Sequence, residues 1–130
     1  LGMQIFFEKS EEAPHIKGLG LLKGTFKKIK KTEKHKIKVP HIGWHLVNNF
    51  EINSISNKTK LKFNNTKYYF LHSYFLNSFE EKNCKLYVDY NGLYIPSVIQ
   101  HGSFVGLQFH PEISGKDGIQ FYKEYFNLQK

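Results

Sequence analysis

Gly106-Leu107-Gln108-Phe109-His110-Pro111-Glu112 is the stretch of this sequence that says most about its fold. The apolar run predicts a strand that ends after Phe109, because Pro111 has no backbone N–H with which to continue a ladder. Residues i and i+2 of an extended segment point to the same side, so His110 and Glu112 are expected to face one site. In open α/β sheets, ligands bind at the carboxyl ends of strands. The stretch therefore predicts a functional site at such an end.

The pairing of an imidazole with a carboxylate indicates the chemistry of that site. Glu112 would orient the ring of His110 and stabilise its protonated form, as the second and third members of a catalytic triad do. A capped turn with an incidental His–Glu contact has the same spacing. The residues alone leave both interpretations open.

The rest of the chain is predicted to be strand-rich, with a helix at each end. Asn91-Gly92 separates two short apolar runs and is a strong hairpin signal. Pro96 indicates that the second strand of this hairpin lies at a sheet edge or is bulged. Strands are predicted over residues 18–29, 45–52, 68–75, 86–90, 93–99 and 103–109, and helices over residues 1–7 and 117–128. The spacing of Ile119, Tyr122 and Phe126 indicates that the second helix is amphipathic, with these residues on its apolar face.

Composition is typical of one compact domain. The chain has 130 residues, of which 40% are hydrophobic and 16% aromatic, enough for a buried core. Its net charge of +8 comes from lysine, since the sequence contains no arginine. Arginine is the residue best suited to bidentate contacts with phosphates and bases, so sequence-specific nucleic-acid binding is not expected. The lysine-rich residues 27–38 are interpreted as a solvated hairpin or loop.

Export, membrane insertion and disulfides are also not expected. No apolar run approaches the roughly 18 residues that a membrane span needs, and residues 1–10 do not have the pattern of a signal peptide. Cys84 is the only cysteine, so a disulfide framework is excluded and a cytoplasmic location is the default. Lysines flank Cys84, but no base or orienting group is near it in sequence, which favours an ordinary strand cysteine.

The seven histidines raise the question of a metal site. His41 and His45 stand four residues apart, the spacing of paired ligands on a helix. Pro40 and Gly43 argue against a helix there, and no cluster of cysteines and histidines accompanies the pair. We therefore expect neither a metal nor another cofactor.

Three further motifs accompany His110-Pro111-Glu112, in an order known from one protein family. Leu1-Gly2-Met3-Gln4 is similar to the segment that follows a nucleophilic cysteine, and Tyr69-Phe70-Leu71-His72-Ser73-Tyr74 to a strand that binds the α-amino-acid end of glutamine. Pro40-His41-Ile42-Gly43-Trp44 is similar to a motif of a histidine-biosynthesis branch. With these motifs the chain resembles the class I glutamine amidotransferases, in particular the glutaminase subunit of imidazole glycerol phosphate synthase.

The resemblance implies a fold and an activity. The fold would be α/β, with a flavodoxin-like central sheet and flanking helices. Residues 1–130 would be the C-terminal part of a single glutamine amidotransferase domain whose N-terminal strands are absent from this chain. The activity would be glutamine hydrolysis, supplying ammonia to a (β/α)₈-barrel synthase or cyclase subunit with which the chain forms a heterodimer. Nucleic acid and membranes would not be partners.

The resemblance also implies roles for individual residues. His110 would be the general base that activates the cysteine thiol, with Glu112 as its orienting acid. The backbone N–H of Leu1 would stabilise the oxyanion. The glutamine substrate would be held by Leu1, Gly2, Gln4, His72, Ser73 and Tyr74. The synthase subunit would be contacted by His41, Ile42, Gly43 and Trp44.

The sequence departs from the family pattern in three places. No cysteine stands before Leu1, and because His110 and Glu112 cannot replace a thiolate, the chain alone is expected to be inactive. Gly-Trp is followed by His45 where the branch usually has Asn, and His-Pro-Glu by Ile113 where it usually has Lys. These changes leave two alternatives open: a paralogous amidotransferase that serves surface-sugar amidation, or a truncated, non-catalytic module that docks on the synthase.

Overall fold

The computed structural model describes residues 3–49 and 65–127, with side chains described as far as residue 124. Within these ranges the chain forms eight strands, one α-helix and three single 3₁₀ turns. The strands are β1 (Phe7–Ser10), β2 (Leu22–Lys28), β3 (His41–Asn49), β4 (Thr66–His72), β5 (Tyr74–Phe79), β6 (Cys84–Tyr90), β7 (Leu93–His101) and β8 (Phe104–Leu107). The helix is α1 (Gly115–Asn127), and the 3₁₀ turns are Gln4–Phe6, Glu81–Asn83 and Pro111–Ile113.

The strands form two sheets that meet at Ser73. A three-stranded sheet has the order β1-β2-β5, and a five-stranded sheet has the order β4-β3-β6-β7-β8. β1 pairs with β2 in parallel, while the other pairs are antiparallel. β4 ends at His72 and β5 begins at Tyr74. Ser73 is therefore the single residue that connects β4 of one sheet to β5 of the other.

β7 is covered on both faces, and this places it between two cores. Val98 packs into a larger core that includes Tyr68 of β4 and Phe121 of α1. The next residue, Ile99, points the other way, into a smaller core built around Phe26 of the three-stranded sheet. Residues 95–99 are all buried for this reason. A strand buried on both faces has a continuous buried run instead of alternation.

The predicted hairpin is confirmed. Asn91 and Gly92 have φ values of 51° and 93°, the left-handed conformation that a two-residue hairpin turn requires. The prediction that Pro96 marks an edge strand is wrong, because β7 lies between β6 and β8. The alternative of a bulge is confirmed: the register of β6 against β7 shifts between Leu86 and Tyr87, beside the Tyr87–Pro96 pair.

The predicted helix over residues 1–7 is wrong in its described part. Gln4–Phe6 is a single 3₁₀ turn, and Phe7 opens β1. Phe7 is 1% exposed and packs edge-on against Phe26 with their ring centroids 5.5 Å apart. Burial of this ring and pairing with β2 outweigh the local preference for a helix. Leu1 and Gly2 lie outside the described residues.

Other strand predictions are correct in type and differ in their limits. The run predicted as one strand over residues 68–75 is two strands, because Ser73 breaks it. β3 begins at His41, earlier than predicted, and the remainder of the predicted strand beyond Asn49 lies outside the described residues. β8 ends at Leu107, two residues before the predicted end, although Gln108 N–H still donates to Ser97 O at 2.9 Å.

The C-terminal helix is confirmed, but its buried face is not the predicted one. Ile119 and Tyr122, predicted to line that face, are 57% and 39% exposed. Among residues 115–124, the part of the helix whose side chains are described, the buried positions are Gly118 and Phe121. The ring of Phe121 contacts that of Phe109 with centroids 5.3 Å apart. Within the described residues, no helix is long and apolar enough to span a membrane.

Candidate active site

His110 is held in place by its own backbone. Its N–H donates to Tyr69 O at 2.9 Å, which attaches the segment after β8 to the middle of β4. The hydroxyl of Ser114 donates to His110 O and accepts from the N–H of Tyr69. Pro111 then opens a 3₁₀ turn that leads into α1. The position of His110 is thus set by β4 and by the start of the helix together.

The structure brings His110 and Glu112 together. Nδ1 of His110 lies 2.6 Å from Oε1 of Glu112. A carboxylate can only accept, so the proton of the neutral imidazole is on Nδ1 and its Nε2 carries a free lone pair. Both side chains are partly exposed, at 41% and 56%. This arrangement leaves Nε2 able to take a proton from a reacting group, and the catalytic role itself stays a prediction.

A cavity of about 550 Å³ lies beside this pair. Its lining includes the following predicted site residues: Gln4, His72, Ser73, Tyr74 and His110. The structure therefore gathers residues from the start of the chain, from the β4–β5 junction and from the segment after β8 into one space. Glu112 is not part of the lining and approaches His110 from outside it. Leu1 and Gly2, also predicted to bind substrate, lie outside the described residues.

The ring of His72 is hydrogen-bonded within the protein, and its predicted contact with glutamine stays a prediction. Its Nδ1 lies 2.9 Å from Tyr74 O, and its Nε2 lies 2.7 Å from Nδ1 of His41. Both ring nitrogens are therefore occupied inside the protein. Burial lowers the pKa of His72 to about 4, so the ring is neutral near pH 7. His72 lines the cavity with its ring but has no free nitrogen with which to bind a substrate.

Two cavity residues with polar side chains were missed by the sequence interpretation. Glu12 contributes a carboxylate to the lining, and Gln108 contributes a side-chain amide. Oε1 of Gln108 is buried and has no hydrogen-bond partner. Gln108 stands two residues before His110, so the alternation that paired His110 with Glu112 could also have found it. Only the fold brings Glu12 to the site.

The motif over residues 40–44 divides between the two faces of β3. Ile42 and Trp44 are each 50% exposed, whereas His41 is fully buried. His41 therefore does not lie on the partner-facing surface predicted for it, because alternation along the strand turns it inward. Side chains from β3 and β4 form an exposed apolar surface, here called the outer strip: Ile42, Trp44, Leu46 and Leu71.

Cys84 lies in the smaller core and is 0% exposed. Burial raises the pKa of its thiol to about 12. Its Sγ lies 3.5 Å from Leu86 O. A neutral, buried thiol is a poor nucleophile, which agrees with the prediction of an ordinary strand cysteine.

His41 and His45 are close in space as well as in sequence. Their ring centroids are 4.4 Å apart, and both rings lie near Phe70 and Tyr90. Among the described residues, no group of three or more His, Cys, Asp or Glu side chains is arranged to hold a metal ion.

Comparison with known proteins matches the sequence of this chain to a family. The family described as "Glutamine amidotransferase class-I" matches residues 1–127. Three relatives carry the name "Imidazole glycerol phosphate synthase subunit HisH". The chain is 45% identical to that of Oceanobacillus iheyensis over 96% of its own length and 58% of the relative. It is 41% identical to that of Methanocaldococcus jannaschii over 98% of its length and 61% of the relative. It is 40% identical to that of Thermotoga maritima over 91% of its length and 51% of the relative.

The chain spans about three fifths of the length of the first curated relatives it matches. The family match covers nearly the whole chain and includes the His110–Glu112 pair, the cavity-lining segments and the outer strip. The family match also supports the predicted α/β fold class. In this chain the described residues form mainly strands, with one α-helix. This chain belongs to the class I glutamine amidotransferases.

Proposed function

We propose that this chain forms the substrate-binding and proton-transferring part of a glutaminase that supplies ammonia to a synthase subunit in histidine biosynthesis. The observation that carries the proposal is the His110–Glu112 pair, with Nδ1 and Oε1 2.6 Å apart, at a cavity lined by Gln4, Ser73 and Tyr74. The names of the relatives support the choice of pathway.

The proposed reaction begins with proton transfer to His110. Nε2 of the neutral ring would take the proton of a cysteine thiol, and Glu112 would stabilise the resulting imidazolium through Nδ1–H. The thiolate would attack the side-chain amide carbon of glutamine. His110 would then return the proton to the leaving nitrogen, releasing ammonia and a glutamyl thioester. Water, deprotonated by His110, would hydrolyse the thioester to glutamate and regenerate the thiol.

The cavity offers groups that suit each end of glutamine. Glu12 supplies the negative charge that the α-ammonium group of the substrate requires. The hydroxyls of Ser73 and Tyr74 and the amide of Gln4 are donors for the α-carboxylate. The side-chain amide would then lie towards His110. This orientation places the bond to be broken beside the base.

Cys84 does not fit the role of the nucleophile. It lies in the smaller core with a thiol that burial keeps neutral, and it is not among the cavity residues. The family places its nucleophile directly before a Leu-Gly-Met-Gln segment, which here is residues 1–4. We infer that the 130-residue chain, in which Cys84 is the one thiol, does not hydrolyse glutamine by itself.

We also propose that the outer strip is the docking surface for the synthase subunit in a heterodimer. Trp44 presents half of its surface to solvent, and aromatic residues are the commonest anchors of protein interfaces. Leu71 belongs both to the strip and to the cavity lining. The cavity and the docking surface are therefore adjacent, as direct transfer of ammonia between subunits would require.

Two alternatives remain, each with an observation in its favour. A surface-sugar amidation paralogue would differ at the partner surface, and Ile113 is 49% exposed close to Gly115, which Trp44 approaches. His45 does not add to this argument, because its ring turns inward towards His41. A non-catalytic docking module is favoured by the buried Cys84 together with the exposed outer strip.

Co-expression of the complete reading frame that contains this sequence with a cyclase subunit of imidazole glycerol phosphate synthase tests these proposals. Glutamate and ammonia should form from glutamine, and an imidazole-forming cyclase should turn over with glutamine in place of added ammonia. Turnover of a sugar substrate instead would select the paralogue. Binding to a synthase with no glutamine hydrolysis would select the non-catalytic module. The 130-residue chain, assayed alone, should form no glutamate above the rate without protein.

A further inference from the structure

A chain of hydrogen bonds connects the cavity wall to the interior of the protein. His41 and His72 are register partners on β3 and β4. Nδ1 of His41 lies 2.7 Å from Nε2 of His72, and Nδ1 of His72 lies 2.9 Å from the carbonyl oxygen of Tyr74. The chain thus runs from a fully buried histidine to the residue that opens β5.

The direction of these hydrogen bonds follows from the acceptor at one end. A carbonyl oxygen only accepts, so Nδ1 of His72 carries the proton and donates to Tyr74 O. Nε2 of neutral His72 must then accept, and Nδ1 of His41 must donate to it. Nε2 of His41 is left as a bare acceptor, and that atom is buried with no hydrogen-bond partner. Burial lowers the pKa of His41 to about 3, in agreement with two neutral rings.

The ring of His41 is fixed by its neighbours. It stacks on Phe70 with centroids 5.0 Å apart and lies 4.2 Å from the ring of Tyr90. Tyr90 is itself immobilised, since its hydroxyl accepts from Lys38 N–H and donates to Lys38 O, each at 3.0 Å. His41 therefore presents its Nδ1–H to His72 from a rigid position.

The unpaired nitrogen of His41 makes a purely structural role costly. A buried acceptor without a partner destabilises a fold, and an apolar ring would fill the same space without that cost. What a phenyl ring could not do is donate to His72. The specific contribution of the His41 imidazole is therefore its hydrogen bond to His72, the residue that precedes Ser73.

We propose that His41 is a positioning residue for glutamine: through His72 it holds the β4–β5 junction so that Ser73 and Tyr74 face the cavity. The inference rests on the proposed function. According to this inference, His41 supports the residues of the glutamine site and does not belong to the surface that contacts the partner subunit. His41 touches no substrate in this account, because His72 lies between it and the cavity.

Three variants of the complete reading-frame protein test the proposal by steady-state glutaminase kinetics. His41→Phe keeps an aromatic ring among Phe70 and Tyr90 but removes the donor. His41→Asn keeps a donor close to the position of Nδ1. His45→Phe is the matched control, because His45 lies against the same rings without a hydrogen bond to His72.

His41→Phe should raise KM for glutamine about five- to tenfold and change kcat less than about twofold, since it weakens substrate positioning and not proton transfer. His41→Asn should restore most of the lost affinity, and His45→Phe should leave KM within about twofold of the unchanged protein. Thermal unfolding of each variant checks that it is folded. An unchanged KM in a folded His41→Phe, or an equal rise in His45→Phe, overturns the proposal.

Long-range ¹H–¹⁵N spectra of the histidine rings provide a readout independent of activity. Both His41 and His72 should be Nδ1–H tautomers near pH 7, and His41→Phe should shift the ring nitrogens of His72. An Nε2–H tautomer at His72 overturns the hydrogen-bond chain itself. If the unchanged protein hydrolyses no glutamine, the proposed function fails and the positioning role fails with it, although the tautomers can still be read.

Discussion

Gly118 in α1 lies directly against the carbonyl group of Pro111. A Cβ at position 118 would overlap the Pro111 carbonyl oxygen and come within 2.9 Å of Cβ of Ser114. The helix can approach the His110–Glu112 turn this closely only because residue 118 has no side chain. The first turn of α1 and the candidate catalytic pair are therefore packed as one unit.

Gly118→Ala is expected to destabilise the protein by about 1–3 kcal/mol, the usual cost of overpacking. The sign of this stability change is informative, because replacing glycine with alanine within a helix ordinarily stabilises a protein by about 0.5–1 kcal/mol. Chemical denaturation measures the change. Lys116→Ala, at an exposed position of the same helix, is the control and should change stability by less than about 0.5 kcal/mol. A Gly118→Ala variant as stable as the unchanged protein would contradict the close packing.

His110→Ala should lower kcat for glutamine hydrolysis about 10²- to 10⁴-fold in the complete reading-frame protein, the usual contribution of a general base. Glu112→Gln should cause a smaller loss, because an amide can still accept from Nδ1–H but no longer stabilises the imidazolium. KM should change little in either variant. His35→Ala, at an exposed histidine in the lysine-rich loop, is the control. Equal losses in His35→Ala and His110→Ala would remove His110 from its proposed role.

Cys84 should be unreactive in the folded protein. Its thiol is buried and burial raises its pKa to about 12, so little thiolate is present near pH 8. Titration with a thiol-specific chromogenic reagent should show slow labelling of the native 130-residue chain and rapid labelling of one thiol in denaturant. Cys84→Ser should leave glutaminase activity of the complete protein intact. Fast native labelling, or loss of activity in a folded Cys84→Ser, would reopen Cys84 as a candidate nucleophile.

Stability should fall as the pH is lowered from about 6.5 to about 4. Burial lowers the pKa of His41 to about 3 and that of His72 to about 4, whereas both are near 6.5 in an unfolded chain. The unfolded state therefore takes up protons in this window that the folded state does not. The contribution of the two neutral histidines to the free energy of unfolding is complete above pH 7. As the pH falls below 6.5, each histidine lowers this free energy with a slope of up to about 1.4 kcal/mol per pH unit.

Denaturant unfolding between pH 7 and pH 4.5 measures this slope. His41→Phe removes one of the two histidines. The slope of its unfolding free energy against pH should therefore correspond to about one proton fewer taken up on unfolding. His35→Ala, at a solvent-exposed position, should have the slope of the unchanged protein. A slope unaffected by His41→Phe would show that His41 is not buried in its neutral form.

Trp44→Lys should weaken binding to the synthase subunit at least about tenfold without unfolding the chain, because it places a charge in the centre of the outer strip. Tyr94→Lys is a matched control. Tyr94 is 61% exposed with one edge-on aromatic neighbour, Tyr87, just as Trp44 has Tyr69. Calorimetric titration compares the two. Equal affinities for the Trp44 and Tyr94 variants would place the docking surface elsewhere.

The sequence predicted those features that depend on short-range geometry. Asn91-Gly92 required a tight turn, and the separation of His110 and Glu112 by two residues brought their side chains together in an extended segment. The α1 helix was found, but its buried face was not, because Gly118 is selected by contact with Pro111 and not by hydrophobicity. Phe7 was predicted in a helix since its burial against Phe26 depends on a distant strand.

The histidines of the candidate site show the same limit to what short-range sequence patterns can predict. The motif around His41 predicted a surface role for four neighbouring residues, yet alternation along β3 sends His41 to the interior and Trp44 to solvent. The sequence indicated that His72 lies near the substrate, but its two ring nitrogens are already bonded. Hydrogen bonds between residues 31 positions apart are not visible in a local pattern.

The junction at Ser73 has a mechanical consequence. The cavity wall includes Phe26 from the smaller core and Phe109 from the larger core, so the cavity spans the seam between two sheets joined by a single residue at that point. A small molecule filling the cavity would contact both sheets at once and act as a reversible cross-link between them. Ligand binding would then restrict tilting of one sheet against the other. This effect would extend well beyond the residues that touch the ligand.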